Sequence, residues 1–131
     1  MAQSDRTTRQ FGDDILPESS VLSLEEYLAM QRAIGNEMRF RILNRLVEDG
    51  PHSASQLRDI LEIRSNTLHY HLDELVDVGL VENRKRKEPD SSGLYSYYRA
   101  TSLGEGLLTE GVRELMAREW DALERYSYSN N

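Results

Sequence analysis

The chain has 131 residues, 38% of them hydrophobic, and a formal net charge of −7, which suggests a single domain with a small core. It has no cysteine, and this excludes disulfide bonds, thiolate metal sites and a cysteine nucleophile. It also lacks an apolar run near the roughly 18 residues of a membrane span and the basic start and apolar stretch of a secretory signal, so we expect a cytoplasmic protein that does not contact a membrane.

Cationic side chains are concentrated in one short segment. The only lysines are Lys85 and Lys87, against fourteen arginines, and they alternate with Arg84 and Arg86 in an unbroken run. A basic run on an acidic protein indicates a local anionic partner, although a solvated surface loop produces the same pattern. Few lysines combined with excess acid is typical of the cytoplasmic proteins of salt-loving archaea, and the composition therefore predicts a halophilic archaeal source.

The chain begins with a polar segment, residues 1–22, which has little periodicity and is predicted to be a flexible N-terminal arm. A first helix is predicted to follow, because Ser23 and Glu26 have the spacing of a capping box and Gly35 suits the C-terminal end. One apolar face of this helix comprises Leu24, Tyr27, Leu28 and Ile34.

Two further helices are predicted before residue 62. Asn36 can cap a helix over residues 37–48, which the sequence Asp-Gly-Pro at 49–51 would end. Ser53 and Gln56 form a second capping box at the start of a short third helix. The apolar residues at helical spacing are Phe40, Ile42, Leu43, Leu46 and Val47 in one helix, and Ala54, Leu57, Ile60 and Leu61 in the other.

A fourth helix is predicted over Ser65–Val78, with Gly79 at its end. Its first half, residues 65–72, has no acidic residue. This uneven distribution indicates that the two halves meet different surroundings, although chance surface charge would produce it too. The inward stripe comprises Leu68, Leu72, Leu75 and Val76, and the acids of the second half are Asp73, Glu74 and Asp77.

The period changes after Gly79. Two polar, extended stretches, residues 80–88 and 94–101, flank the turn sequence Pro-Asp-Ser-Ser-Gly and predict a two-stranded hairpin. Three tyrosines in the second stretch favour strand. Thr101 can cap a last helix over residues 102–126, whose apolar positions drift around the helix axis.

The third and fourth helices, joined by a short turn, have the order of a helix-turn-helix, and the hairpin has the place of a wing. The sequences MRFRIL, SASQL, NTLHYHLDELVDVGLV and YYRATSLGEGLL follow one another as in the winged helix-turn-helix transcription regulators of the ArsR and MarR-like groups, which residues 25–110 resemble. The resemblance implies an α+β, mostly α fold. A DNA-binding domain with a two-stranded wing would span residues 23–101, and a long C-terminal dimerisation helix with a short tail would span 102–131.

Two departures limit what the resemblance implies. The cysteine ligands of arsenic- and metal-sensing members are absent, so metal sensing is not expected. Arg64 stands where the family usually has a small polar cap, which either moves the helix start to Ser65 or places Arg64 against a phosphate. His69 and His71 lie about 200° apart on a helix and make a poor metal pair. We expect neither a metal nor a cofactor.

A recognition helix enters the major groove with its N-terminal part, where phosphates would repel acids and polar side chains can meet base edges. The side chains expected to contact DNA from this helix are Arg64, Ser65, Asn66, Thr67, His69 and Tyr70, and Asn66 could pair bidentately with adenine. In the wing they are Arg84, Lys85, Arg86, Lys87 and Arg99, with help from Tyr95 and Tyr97. Strand alternation lets only about half of the basic run face the DNA.

The last helix has more apolar surface than one small domain needs, and pairing with a second copy would cover it. The alternative is a long helix packed on its own domain. A two-fold dimer would place two recognition helices about 34 Å apart over a near-palindromic operator. The residues expected at the homodimer contact are Leu24, Tyr27, Leu28, Leu107, Leu108, Val112, Leu115, Met116, Trp120 and Leu123.

Together these features predict a non-enzymatic, sequence-specific regulator of double-stranded DNA, acting as a homodimeric repressor whose effector is unknown. No nucleophile elbow or phosphate loop indicates catalysis. Two alternatives stay open. One is a winged-helix module that docks another protein; the other is a ligand-responsive regulator with a small-molecule pocket near the C-terminal helix, lined by Trp120 and tyrosines.

Overall fold

The structure is a computed structural model and describes residues 15–87 and 93–119. Some predictions fall outside these residues: the N-terminal arm up to residue 14, the turn residues 88–92, and the end of the last helix from residue 120, including Trp120 and Leu123. Within the two described ranges, no helix is both long and apolar enough to cross a membrane.

Four helices precede a two-stranded sheet and a last helix, in the order that the sequence predicts. Helix α1 spans Leu24–Ile34, α2 spans Glu37–Asp49, α3 spans Ala54–Leu61 and α4 spans Ser65–Asp77. Strand β1 spans Val81–Lys87 and β2 spans Leu94–Ala100. Helix α5 begins as Ser102–Leu107, passes through a π-helical turn at Leu108–Val112 and is helical again from 113 to 119. The predicted α+β, mostly α fold is confirmed.

Side-chain caps determine where the first three helices begin. The Ser23 hydroxyl accepts from the Glu26 amide at 3.1 Å, and the Glu26 carboxylate accepts from the Ser23 amide at 2.9 Å. Ser53 and Gln56 form the same reciprocal pair at 3.1 and 2.9 Å, and the Asn36 side chain accepts from an amide in the first turn of α2. Each cap contributes roughly 1 kcal/mol, and the three predicted helix starts are confirmed.

The core lies where the helices meet the base of the sheet. Helix α1 contributes Met30, Ala33 and Ile34, whereas Tyr27 and Leu28 of its predicted apolar face are 36% and 38% exposed. Helix α1 therefore has two apolar stripes, and periodicity alone does not distinguish the stripe that packs inward. The fully buried side chains of the core are Ile42, Leu43, Leu57, Leu68, Leu72, Leu75, Leu80, Val81 and Leu108.

Helix α3 packs through a narrower face than its sequence predicts. Leu57 is fully buried, and Ala54 and Leu61 pack partly against the core. Ile60, which was also predicted to face inward, is 40% exposed. At 100° per residue, Ile60 lies on the opposite side of Leu57 from the other two, beyond the edge of the buried face.

Helix α5 crosses the loop between α4 and β1 in close contact. A Cβ atom on Gly104 would lie 2.1 Å from the Leu80 carbonyl oxygen, so the crossing requires glycine. Thr101 holds the helix start there, because its hydroxyl donates to the Gly79 carbonyl oxygen at 2.6 Å and accepts from the Gly104 amide at 3.1 Å. The first turns of α5 therefore pack on the same core as α1–α4.

Strands β1 and β2 form an antiparallel hairpin, paired over residues 81–87 and 94–100. His52 pairs with Tyr98 through two backbone hydrogen bonds of 3.0 and 2.7 Å, so the segment before α3 joins the outer edge of β2. Val81 at the base is buried, whereas residues 83–87 are exposed. The hairpin is thus attached to the entry of α3 and extends outward from it.

Candidate nucleic-acid interface

The N-terminal half of α4 presents one continuous exposed surface. Leu68 is fully buried on the opposite side of the helix, and Tyr70 is 58% exposed. The predicted contact residues of this helix are all exposed: Arg64, Ser65, Asn66, Thr67, His69 and Tyr70. The exposed acids Asp73 and Asp77 begin only one turn later, so this half of the surface carries no negative side chain.

Helix α4 begins without a side-chain cap. Arg64 occupies the N-cap position and makes no capping hydrogen bond, and Ser65 is the first helical residue. The first alternative drawn from the family pattern, a helix start at Ser65, is therefore confirmed. A contact between Arg64 and a phosphate stays a prediction, which the exposure of Arg64 permits.

Local hydrogen bonds orient two polar side chains of this surface. His69 Nδ1 lies 2.9 Å from the Ser65 carbonyl oxygen, so Nδ1 is the donor and the neutral ring keeps Nε2 as its acceptor. The Asn66 side-chain oxygen accepts from the Thr67 amide at 2.9 Å. Bidentate pairing of Asn66 with adenine needs that oxygen, so it would require the bond to Thr67 to open.

His71 lies on the inner side of α4 and is buried. Arg39 of α2 donates from Nη1 to His71 Nδ1 at 3.1 Å and from Nε to the Ala33 carbonyl oxygen of α1 at 2.7 Å. Burial first, and then the Arg39 charge, lower the pKa of His71, while Glu74 opposes the shift. The imidazole therefore stays neutral and accepts from Arg39, which is the packed role that the sequence predicts for His71.

The hairpin, which we call the wing, places its two lysines on one face. Because side chains alternate along a strand, Lys85 and Lys87 share a face with Asn83 and, across the register, with Tyr98. We call this the lysine face. Burial, and then the charge of Asp73 on α4, raise the pKa of Tyr98, which locates this face beside α4. Within the described ranges, no three histidine, aspartate or glutamate side chains are arranged to hold a metal ion.

The opposite face of the wing, here called the arginine face, carries Glu82 and the three predicted arginines. Arg99 is ion-paired with the Glu82 carboxylate, and the Arg84 Nε lies 3.5 Å from the same group. The Arg86 guanidinium lies 5.2 Å from the ring centroid of Tyr95 and 5.3 Å from that of Tyr97. Each arginine of the wing thus has an acidic or aromatic neighbour. Strand alternation predicted the division into two faces, but not these contacts.

An apolar surface runs along α1 and α5. Tyr27, Leu28 and Val112 are partly exposed, Leu115 is 71% exposed, and Leu24 and Leu107 are half-buried. Met116 is exposed as well. Leu108, predicted for the same contact, is instead fully buried in the core of its own chain and is not available to a partner.

Residues 34–84, from the end of α1 to the middle of β1, match the family model described as a helix-turn-helix domain. The match includes α2, α3 and α4, and thus the exposed surface of α4. This part of the chain is a helix-turn-helix domain. Helices α3 and α4 form the motif itself, and the wing follows. No curated protein matches the sequence.

Three solved structures share the architecture of the helix-turn-helix domain and its surroundings. A transcriptional regulator homologue from Pyrococcus horikoshii OT3 is 22% identical, with 76% of this chain and 98% of that chain covered and a TM-score of 0.59. The transcriptional repressor PagR of Bacillus anthracis is 23% identical, covering 66% and 92%, with a TM-score of 0.56. The homodimeric winged helix-turn-helix DNA-binding domain Mb0332 from Mycobacterium bovis, a possible ArsR-family transcriptional regulator, is 22% identical, covering 76% and 85%, with a TM-score of 0.60.

These similarities establish the winged helix-turn-helix fold, and the resemblance predicted from the sequence motifs is confirmed at that level. The family and fold are those of DNA-binding transcription regulators. The halophilic archaeal source stays a prediction from composition.

Proposed function

We propose that this protein is a sequence-specific, DNA-binding transcription regulator. The observation that supports this most directly is the exposed, acid-free N-terminal half of α4, since a helix-turn-helix places that part of its second helix in the major groove. Hydroxyl, amide and imidazole groups on this surface can donate to or accept from base edges. The wing adds cations that can contact phosphates and position the helix without reading sequence.

In this proposal Asn66, His69 and Tyr70 contact bases. The Nε2 acceptor of His69 suits the exocyclic amine of adenine or cytosine, and Asn66 exchanges its bond to Thr67 for a bidentate pair with adenine. Arg64, at the helix start, contacts a phosphate. Ser65 and Thr67 present hydroxyl groups to the same groove.

The experiment begins with sequencing the genomic fragments that co-purify with the protein, which identifies its operator. Fluorescence anisotropy then compares that duplex with a scrambled one. Asn66→Ala and Tyr70→Ala should each weaken operator binding by about 1–3 kcal/mol and leave scrambled binding unchanged, because base contacts carry the specificity. Asn44→Ala, on α2, is the matched control and should change neither. Equal loss on both duplexes, or no enriched fragment, would contradict the proposal.

We also propose that two copies pair through the apolar surface of α1 and α5. The exposure of that surface supports the pairing, and the Mb0332 domain, which has the same fold, is homodimeric. A two-fold pair would read a near-palindromic operator. The proposed contact comprises Leu24, Tyr27, Leu28, Leu107, Val112, Leu115 and Met116, with Trp120 and Leu123 beyond the described residues.

For the regulatory outcome we propose repression by covering a promoter, as PagR, described as a transcriptional repressor, has the same fold. Transcription in vitro from a promoter with the operator should fall when the protein is added; a rise would indicate activation. A second candidate is ligand-responsive regulation. It is favoured by the open groove between α1 and α5, which Tyr27, Leu103 and Gly106 line. Docking of another protein becomes the better proposal if no DNA binding is detected.

A further inference from the structure

The two faces of the wing differ in how their cations are engaged. Arg84 and Arg99 lie against Glu82, and Arg86 lies over two tyrosine rings. Lys85 and Lys87, in contrast, have no ion-pair or hydrogen-bond partner among residues 15–87 and 93–119. One unbroken basic run in the sequence therefore becomes two groups with different surroundings.

We propose that the lysine face contacts the DNA phosphates and that Arg86 is a positioning residue, which stiffens the wing through Tyr95 and Tyr97 so that the lysines are held in place. This inference rests on the proposed DNA-binding function and assigns different tasks within its wing. A compact ammonium group suits a phosphate as a point charge, whereas a planar guanidinium suits stacking on aromatic rings.

The lysine face lies on the side of the wing nearer the recognition helix. Tyr98 is buried on that face and senses the Asp73 charge of α4. The Asn83 side-chain amide lies 3.5 Å from the Tyr98 hydroxyl, and the Ser96 hydroxyl donates to the Asn83 side-chain oxygen at 2.9 Å. These contacts continue a polar surface from α4 along β1. A duplex lying on α4 would meet the lysines before the arginines.

The arginine face contains the contacts that can order the exposed part of the wing. The rings of Tyr95 and Tyr97 stack with centroids 6.0 Å apart and an interplanar angle of 19°, and Arg86 bridges them from the opposite strand. The Tyr95 hydroxyl donates to Gln56 at 3.3 Å, which connects the ladder to the capped start of α3. A two-stranded hairpin has little stability by itself, so these cross-strand contacts would lower the entropy that the lysines lose on binding.

The test compares charge removal on the two faces while side-chain length is kept. Affinity for the operator is measured for wild type, Lys85→Met, Lys87→Met and Arg86→Met over a range of KCl concentrations. Each lysine variant should flatten the plot of log K against log salt by about 0.9 per lost phosphate contact, and by twice that if two copies bind. Arg86→Met should leave the slope unchanged and the affinity within about threefold, because methionine keeps contact with the tyrosine rings.

Truncation of the ladder gives the second readout. Arg86→Ala and the double variant Tyr95→Ala/Tyr97→Ala should weaken binding roughly tenfold with an unchanged salt slope, since the entropy of ordering the wing returns to the binding step. Hydrogen exchange at the β1 and β2 amides of the free protein should accelerate in both. Arg86→Met should exchange like wild type, and the melting temperatures show that each variant is folded.

The results separate two failures. If wild type binds the operator and Arg86→Met flattens the salt slope as much as Lys85→Met does, Arg86 is a phosphate contact and the division of tasks is wrong, while DNA binding stands. Unchanged hydrogen exchange in Arg86→Ala would also contradict the stiffening role. If wild type binds no DNA even at low salt, the proposed function itself fails and this inference fails with it.

Discussion

Arg39 connects three helices through one side chain. It lies in α2, and it donates to the Ala33 carbonyl oxygen at the end of α1 and to His71 on the inner side of α4. The position of the recognition helix thus depends on a buried hydrogen bond between a permanent cation and a neutral imidazole. Protonation of His71 would remove the acceptor and place two positive charges side by side.

We expect the free energy of unfolding to fall as the pH is lowered below about 6.5, the ordinary pKa of histidine. The folded state holds the pKa of His71 below that value, so the unfolded chain takes up the proton first. The stabilisation is complete above pH 6.5 and is lost as the pH falls through the lowered value.

Urea unfolding of wild type between pH 8 and 5.5 measures this effect. His71→Gln, which keeps an acceptor but does not titrate, should have a flatter pH profile. His69→Gln, at the exposed histidine of the same helix, is the matched control and should behave like wild type. A wild-type profile equal to that of His71→Gln would contradict the assignment.

The sequence was sufficient to place the exposed side chains of α4, because one buried stripe at helical spacing determines the opposite surface. It also placed His71 inside. It did not assign a partner to Arg39, one of fourteen arginines with no local feature to distinguish it. Nor did it reveal that Glu82 engages two of the wing arginines, since that contact depends on the register of β1 against β2.

Helix α5 contains an irregularity that explains the misplaced Leu108. The π-helical turn at Leu108–Val112 accommodates one extra residue, so positions before and after it do not share the face that a regular α-helix would give them. Leu108 consequently faces the core, whereas Leu115 is exposed. The apolar positions that drift around the axis in the sequence are the trace of this turn, but a drifting pattern alone does not show where the extra residue lies.

The close crossing of α5 and the Leu80 backbone gives a second prediction. Gly104→Ala should lower the free energy of unfolding by roughly 1–3 kcal/mol, because the added methyl group cannot fit 2.1 Å from a carbonyl oxygen without displacing α5. Gly106→Ala, two residues later, would place its added methyl group in open space, with no atom within 4 Å, and should be neutral or stabilising by up to about 1 kcal/mol. Thermal and urea unfolding of both variants would measure the difference, and equal stabilities would show that α5 does not cross here.

Pairing of two chains through α1 and α5 can be tested with two leucines of similar exposure. Leu115, on the proposed contact, is 71% exposed, and Leu94, on the wing, is 66% exposed. Leu115→Asp should weaken the dimer by about 2 kcal/mol or more if that side chain lies near the centre of the contact. Leu94→Asp should leave it intact. Size-exclusion chromatography with light scattering measures the oligomeric state at micromolar concentration.

A monomeric wild type under those conditions would contradict the homodimer, and equal dissociation by the two aspartate variants would show that the contact lies elsewhere. The order of elements and the helix starts were predictable because caps and turn residues act locally. The apolar surface of α1 and α5 was predictable only in part. Whether a stripe such as Tyr27 and Leu28 packs inward or stays exposed is decided by the other helices, not by its own period.

The backbone pairing of His52 with Tyr98 has a consequence for the DNA as well as for the protein. It anchors the wing to the entry of α3, so the distance between the groove-reading helix and the wing is built into the chain before a duplex arrives. The duplex must then adjust its own groove width and curvature to this fixed distance. Base steps that no side chain contacts would affect affinity through their stiffness.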